Sequence, residues 1–319
     1  MKAAVLHKLG TNPRYEDFAE PVAQDGEVLV RVRAAALKAV EKQMAAGSHY
    51  ASPKELPAIC GVDGVGTLED GARVFFGGPR KPFGTMAERA VAPRAFCFPI
   101  PDTIDDATAA ALPNPGVSAY LVLTHTAKLS SGETVLILGA TGVTGKLAVQ
   151  IARLLGACRI VGAGRNREAL GRLRELGADA VIQLDQPEAE LTKSFVREAG
   201  KDGFNVVIDY VWGKSTETFL AALTQSEITS IGSETRLIQV GESAAPVISL
   251  PAAVLRSRAL TIRGTAGIPP REALATAMKQ VMDWAAAGQL AIETETIPLA
   301  QVQEAWQRSE RSRRIVLIP

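Results

Sequence analysis

The stretch Val135-Leu136-Ile137-Leu138-Gly139-Ala140-Thr141-Gly142-Val143-Thr144-Gly145 decides the fold. Its first four residues are apolar, as in a strand covered on both faces. A tight glycine turn follows. Then Val143, Leu147, Ile151 and Leu154 recur at spacings of four, four and three, which is one face of an amphipathic helix over residues 142–156. Strand, glycine turn and helix in that order are the context a dinucleotide-binding loop requires. Gly142 lets the backbone approach a pyrophosphate, and free N–H groups at the helix start offer donors to its oxygens. Gly145 permits close packing of helix on strand. Gly139, Thr141, Gly142, Val143, Thr144 and Gly145 are therefore the first candidate cofactor contacts. The competing reading is a merely structural turn.

Beyond this stretch the chain alternates. Strands are predicted at residues 134–138, 159–163, 180–184, 206–210, 237–240 and 260–263. Further helices are predicted at 169–176, ending at Gly177, and at 216–223. Alternating β and α predicts an α/β fold with a parallel sheet and right-handed crossovers. The end of the second strand bears on the choice of dinucleotide. An NAD site usually carries an acid there to accept the ribose hydroxyls. Here the run is Val161-Gly162-Ala163-Gly164-Arg165-Asn166-Arg167, with no acid. After Gly164, Arg165 is placed to fork onto a 2′-phosphate, with Asn166 or Arg167 assisting. This favours NADPH over NADH, against the alternative of exposed loop charges.

The flanks differ. The first 110 or so residues read as short strands and turns, with Val28-Leu29-Val30-Arg31-Val32-Arg33 alternating as a half-buried strand. The tail reads as a helix from about Pro270 through Trp284 and Ala287, then a closing strand at 315–318. The cluster at 308–314, which includes Glu310, reads as a solvated turn. Across 319 residues the net charge is +1 and aromatics are 5%, which argues against a nucleic-acid partner. Three scattered Cys and three His leave no C-x-x-C or H-x-x-x-H spacing, so a zinc ribbon is not expected. The thiols suit a reducing compartment. No run approaches the roughly 20 apolar residues of a membrane span, and the N-terminal run is too short for a signal peptide. A cytoplasmic protein is expected.

Four stretches carry a resemblance. They are Met1-Lys2-Ala3-Ala4-Val5; Ala111-Leu112-Pro113 with Ser118-Ala119-Tyr120; the glycine loop; and Leu176-Gly177-Ala178-Asp179. Together they resemble the medium-chain dehydrogenase/reductase superfamily, specifically its zinc-independent quinone oxidoreductase branch. The resemblance implies a GroES-like β-rich catalytic domain from residues 1–118 and 265–319. A Rossmann NADPH-binding domain with a doubly wound parallel sheet would be inserted at 119–264, and the cleft would hold nicotinamide and substrate. It also implies a homodimer paired through the Rossmann sheet edge. Ser118 matches the position that approaches the nicotinamide. Val211, Val240, Gly241, Gly264 and Thr265, at strand ends, would line the cofactor path.

Zinc-using relatives carry G-H-E-x-x-G where this chain has Gly61-Val62-Asp63-Gly64-Val65-Gly66, and a Cys ligand in the region of Leu37-Lys38-Ala39-Val40-Glu41. Val62 cannot bind metal, so zinc-assisted alcohol oxidation is disfavoured. Zinc-independent relatives often show N-P-x-D where Lys38-Ala39-Val40-Glu41 stands. Their usual Lys and Tyr around the 2′-phosphate fall on Ala169 and Leu184. Without metal, the simplest chemistry is hydride transfer from NADPH to a quinone or an α,β-unsaturated carbonyl, with a donor for the developing oxyanion. Tyr50, in Gly47-Ser48-His49-Tyr50, is the first catalytic candidate, and its alternative is a surface tyrosine. Lys38 and Asn114 are the others, and His49 reads as a bystander. Enoyl-thioester reduction is an alternative activity, and a non-catalytic NADPH-binding sensor or structural protein is an alternative class.

Overall fold

The strand predicted at the head of the glycine loop is β1 (Thr134–Leu138), and it lies at the centre of a six-stranded parallel sheet in this computed structural model. The structure describes residues 1–225, 234–265, 270–308 and 312–319. The other strands are β2 (Arg159–Gly164), β3 (Ala180–Gln183), β4 (Val206–Asp209), β5 (Thr235–Gln239) and β6 (Leu260–Gly264). Their order across the sheet is β3-β2-β1-β4-β5-β6. Leu136 pairs in register with Val161 on one side and Val207 on the other. Flanked on both edges and covered on both faces, Val135 to Leu138 are wholly buried. This explains why β1 is apolar at every position rather than alternating.

Four helices connect the early strands: α1 (Val143–Leu154), α2 (Arg167–Arg172), α3 (Glu188–Ala199) and α4 (Lys214–Gln225). One face of the sheet packs Leu136, Val161 and Val207 against Phe195, Phe204 and Phe219. The Phe195 and Phe219 rings meet edge-on, with centroids 5.5 Å apart. Sequence reading did not find α3, where charge-rich turns around Glu188, Glu190 and Lys193 obscure Leu191 and Phe195. Their spacing of four was the available signal. The helix expected at 169–176 starts earlier and ends earlier. The Asn166 side chain caps it by accepting from the Ala169 N–H at 2.9 Å, and residues after Arg172 form turns leading to Gly177.

The chain divides into two compact units, Pro115–Ala277 and Met1–Asn114 with Met278–Pro319. These limits fall inside the helices Pro113–Leu121 and Arg271–Ala286 rather than at 118/119 and 264/265.

The second unit is β-rich. Its spine is the strand Glu27–Leu37, which pairs antiparallel with Asp63–Thr67, Arg89–Pro93 and the closing strand Arg314–Ile318. Leu37 faces Ile315 across that ladder, so the tail completes the sheet begun by the N-terminal third. A smaller sheet joins Lys2–Leu6 to Arg14–Asp17 and Ala58–Ile59. Arg308 forks onto Glu295 at 2.6 and 2.9 Å, so that end of the basic cluster is paired rather than free in solvent. Residues 309–311 of the cluster lie outside the described residues. Among the described residues no helix is long and apolar enough to cross a membrane.

Candidate functional site

The strand order reverses between β1 and β4, and ligands of open α/β sheets bind at such a point. The loop after β1 is anchored there. The Gly139 and Ala140 N–H groups both donate to the Ala163 carbonyl at 2.9 Å, and the Gly142 N–H donates to Gly139 at 3.1 Å. Gly142 is the N-cap of α1, with no side-chain cap. The N–H groups of Val143, Thr144 and Gly145 have no partner among the described residues, leaving three donors at a helix N-terminus.

Two glycines hold this geometry by close approach. A Cβ at Gly145 would lie 2.3 Å from the Gly139 carbonyl oxygen and 2.6 Å from the Ala140 Cα, so only glycine lets α1 pack so tightly on its own loop. A Cβ at Gly164 would lie 2.5 Å from the Thr141 Cγ2. The Thr141 side chain thus lies across the end of β2 and brings the loop beside Arg165, Asn166 and Arg167. Arg165 and Arg167 are exposed, and neither has an acidic partner among the described residues. Asn166 differs from expectation in that its Oδ1 is committed to capping α2. The Arg165 carbonyl accepts from Gln183 Nε2 at 2.6 Å, which fixes the backbone at this corner.

The remaining strand ends gather at the same edge. A Cβ at Gly139 would stand 3.1 Å from Val211 Cγ1. The Val240 and Gly241 N–H groups donate to the Asp209 carbonyl at 2.8 and 3.1 Å. Gly264 pairs with Gln239, and Thr265 follows it, exposed. Ser118 is half-buried on the helix Pro113–Leu121.

Sequence reasoning missed Asp209. Its buried carboxylate accepts from the Val211 and Trp212 N–H groups, each at 2.8 Å, and from Thr216 Oγ1 at 2.5 Å. Burial pushes its carboxyl above the ordinary value, and these donors pull it back. Trp212 is held at a positive φ of 59, a conformation a bulky side chain rarely adopts. The only sequence signal was an acid closing an otherwise apolar strand.

In the β-rich unit, Lys38, Glu41 and Asp63 form a buried cluster. Lys38 precedes the helix Ala39–Ala46, and its N–H donates to Glu41 Oε2 at 2.9 Å. Its Nζ lies 2.9 Å from Glu41 Oε1 and 2.5 Å from Asp63 Oδ1. The first contact is an ion pair whose angles do not make a hydrogen bond, so Glu41 Oε1 has a countercharge but no donor. Burial alone would lower Lys38, but the two carboxylates outweigh it and hold the ammonium above its ordinary value. Burial pushes Glu41 up, against the pull of Lys38. Nearby, burial pushes the Cys60 thiol up to about 12, which makes it a neutral thiol at physiological pH.

Lys38 is therefore a fixed cation sealed by two acids, not a free ammonium. Tyr50 is 96% exposed, with its ring against His49 at a centroid distance of 4.1 Å. Asn114 is exposed in the first turn of Pro113–Leu121. The structure brings Lys38 together with Glu41 and Asp63, but it joins neither Tyr50 nor Asn114 to them by a hydrogen bond.

With this geometry in hand, likeness to known proteins becomes informative. A family model described as "Zinc-binding dehydrogenase" matches residues 143–286. The quinone oxidoreductase of Rattus norvegicus is 31% identical over 216 residues, covering 65% of this chain and 64% of that protein. The chain is therefore similar to quinone oxidoreductases of the medium-chain dehydrogenase/reductase superfamily. The alignment thus spans somewhat under two thirds of the rat protein's length. A "Probable NADPH-dependent quinone reductase" of Emericella nidulans is 28% identical, covering 76% of this chain and 68% of that one. The quinone oxidoreductase of Thermus thermophilus, whose structure is described with its NADPH complex, superposes with a TM-score of 0.80 at 28% identity, over 100% of both chains.

The superfamily includes zinc-using members, but the donor set here does not suit that ion. Val62 supplies no ligand atom, and the Glu41 and Asp63 carboxylates already hold the Lys38 ammonium. Cys60 is a neutral thiol. Among the described residues no three His, Cys, Asp or Glu side chains gather to hold a metal.

Proposed function

We propose that this protein is an NADPH-dependent, zinc-independent oxidoreductase that reduces a quinone or an α,β-unsaturated carbonyl. One observation carries the reading. Three unpartnered N–H groups at the start of α1 stand beside a β2 end that offers two unpaired guanidinium groups and no acid. The first feature suits a pyrophosphate and the second a 2′-phosphate. Likeness to quinone oxidoreductases supports the acceptor class.

When bound, NADPH supplies the hydride. The protein's part is to bind the phosphates through Val143, Thr144 and Gly145 and to select NADPH through Arg165 and Arg167. It must also supply a donor where the acceptor oxygen gains charge. Tyr50 is the candidate donor, because it is exposed and its hydroxyl has no hydrogen-bond partner among the described residues. Lys38 organises the start of the helix Ala39–Ala46 and its two acids, and Asn114 orients substrate. Among the described residues no strand pairs with the outer edge of β6, and this supports pairing of two chains there as a homodimer.

The test follows NADPH and NADH absorbance with quinones, enones, enals and enoyl thioesters. Oxidation of NADPH by quinones or enones in preference to thioesters is expected. NADH consumed as fast as NADPH would overturn the role of Arg165. Tight NADPH binding without turnover on any acceptor would replace the enzyme reading with a sensor.

A further inference from the structure

A cavity of about 710 Å³ in the β-rich unit has no role in the reading above. It lies along the spine strand Glu27–Leu37. Arg31 of that strand stands directly opposite Thr67 on one side and Arg89 on the other. Residues paired across a ladder share a face, and all three line the cavity. Arg33 lines it too, from the register shift between Val32 and Ala34. Such irregularities re-aim a side chain out of the regular alternation. Thr67 is four residues along its strand from Asp63, about 13 Å at the usual rise. The cavity is therefore separate from the cluster of Lys38, Glu41 and Asp63.

The charges on its wall are not balanced in pairs. Two guanidinium groups placed directly opposite each other repel. Arg89 is offset by Glu20 at 2.9 Å. Arg33 meets Asp106 at 2.5 Å, but that carboxylate also holds Arg73 at 2.7 Å. Arg31 has no hydrogen-bond or ion-pair partner among the described residues. The remaining wall is mainly aliphatic, from Leu29, Val32, Leu68 and Ile318, and no aromatic ring lines it. Aliphatic lining with one convergent charged group, in a volume of this size, is the make-up of a small-molecule site.

We propose that this cavity binds a small aliphatic carboxylate, its charge on Arg31 and its chain against the aliphatic wall. A guanidinium forks onto the two oxygens of a carboxylate. One unpaired guanidinium matches one negative charge, and the Glu69 carboxylate on the same wall opposes a second. The site thus selects a monoanion over a phosphate dianion. It does not depend on the NADPH reading.

Octanoate, octyl phosphate and octanol serve as probes, titrated by calorimetry into the wild type, Arg31→Gln and Arg31→Lys. Arg31 is exposed, so both variants should keep the wild-type melting midpoint. Octanoate should bind the wild type more tightly than either other probe. Its affinity should fall roughly ten- to a hundredfold in Arg31→Gln, the worth of a charge-assisted contact, and less in Arg31→Lys, which keeps the charge but not the fork. NADPH affinity should be the same in all three proteins. Octanoate affinity within threefold of wild type in Arg31→Gln would overturn the site, as would no saturation by octanoate up to about 10 mM, weaker than any useful site. Octyl phosphate bound as tightly as octanoate would overturn the carboxylate class. Octanol bound as tightly would show that Arg31 contributes no charge recognition and overturn it too. A protein that binds octanoate as expected but no dinucleotide would overturn the cofactor reading and leave this inference standing.

Discussion

Replacing Lys38 with methionine would remove the countercharge of two buried carboxylates while keeping most of the side-chain volume. Lys38 Nζ lies 2.9 Å from Glu41 and 2.5 Å from Asp63. At an effective dielectric of about 20, each contact is worth roughly 6 kcal/mol of attraction. Desolvation of the three groups offsets most of this, and breaking buried pairs by removing one partner costs about 3–5 kcal/mol. Arg314, whose charge also feels Glu41 and Asp63, remains in the variant and moves the expectation to about 3 kcal/mol. For a unit of this size that is a fall of roughly 10 °C in melting midpoint by scanning calorimetry.

The loss must also depend on pH. Without the ammonium, Glu41 keeps its burial and its carboxylate neighbour Asp63 but loses the pull of Lys38, so its folded-state pKa rises further above the unfolded one. In that window the folded state binds more protons than the unfolded state, so stability falls as pH rises. The variant should be closest to wild type near pH 5 and furthest from it at pH 8. Adding Glu41→Gln and Asp63→Asn should recover at least half of the loss at pH 8. A loss below about 1 kcal/mol, or one of equal size at both pH values, would refute the view that Lys38 neutralises a buried acid pair.

Other outcomes follow from the same structure. Gly145→Ala places a methyl group 2.3 Å from the Gly139 carbonyl, so α1 must shift; binding of NADPH by titration calorimetry should weaken at least tenfold. Arg165→Ala with Arg167→Ala should lower the NADPH-to-NADH affinity ratio by roughly ten- to a hundredfold, the worth of charge-assisted phosphate contacts, with little change for NADH. With Cys60 held at about 12 and Cys158 exposed, a disulfide thiol reagent at pH 8 should modify Cys158 at least about a hundredfold faster than Cys60, followed by absorbance.

Much of the parallel sheet was legible because its physics is local. Residues 134–138 form a strand with the boundaries read from their apolar run, and the glycine loop with α1 followed from periodicity and spacing. The strand ends could be placed because a doubly wound sheet fixes which end of each strand faces the ligand. Contacts between distant residues were not legible. Asp63 lies 25 residues from Lys38, and no spacing rule joins them, so Lys38 read as a catalytic candidate without its two acids. Arg31 read as one polar position of an alternating strand, since a cavity exists only relative to what surrounds it. The α3 helix was hidden by its charged solvent face, and the cap that moved the start of α2 by two residues depends on one side-chain oxygen.

That cap has a further consequence. Asn166 sits between the two guanidinium groups proposed to choose the cofactor, yet its own oxygen terminates a helix. Positions 165 and 167 can drift toward another dinucleotide at little cost to folding. Position 166 cannot, because any residue introduced there for selectivity must also serve as a helix cap. The accessible sequence changes between cofactor preferences thus pass on either side of it, and only aspartate, serine, threonine or glycine could replace it without loosening the corner.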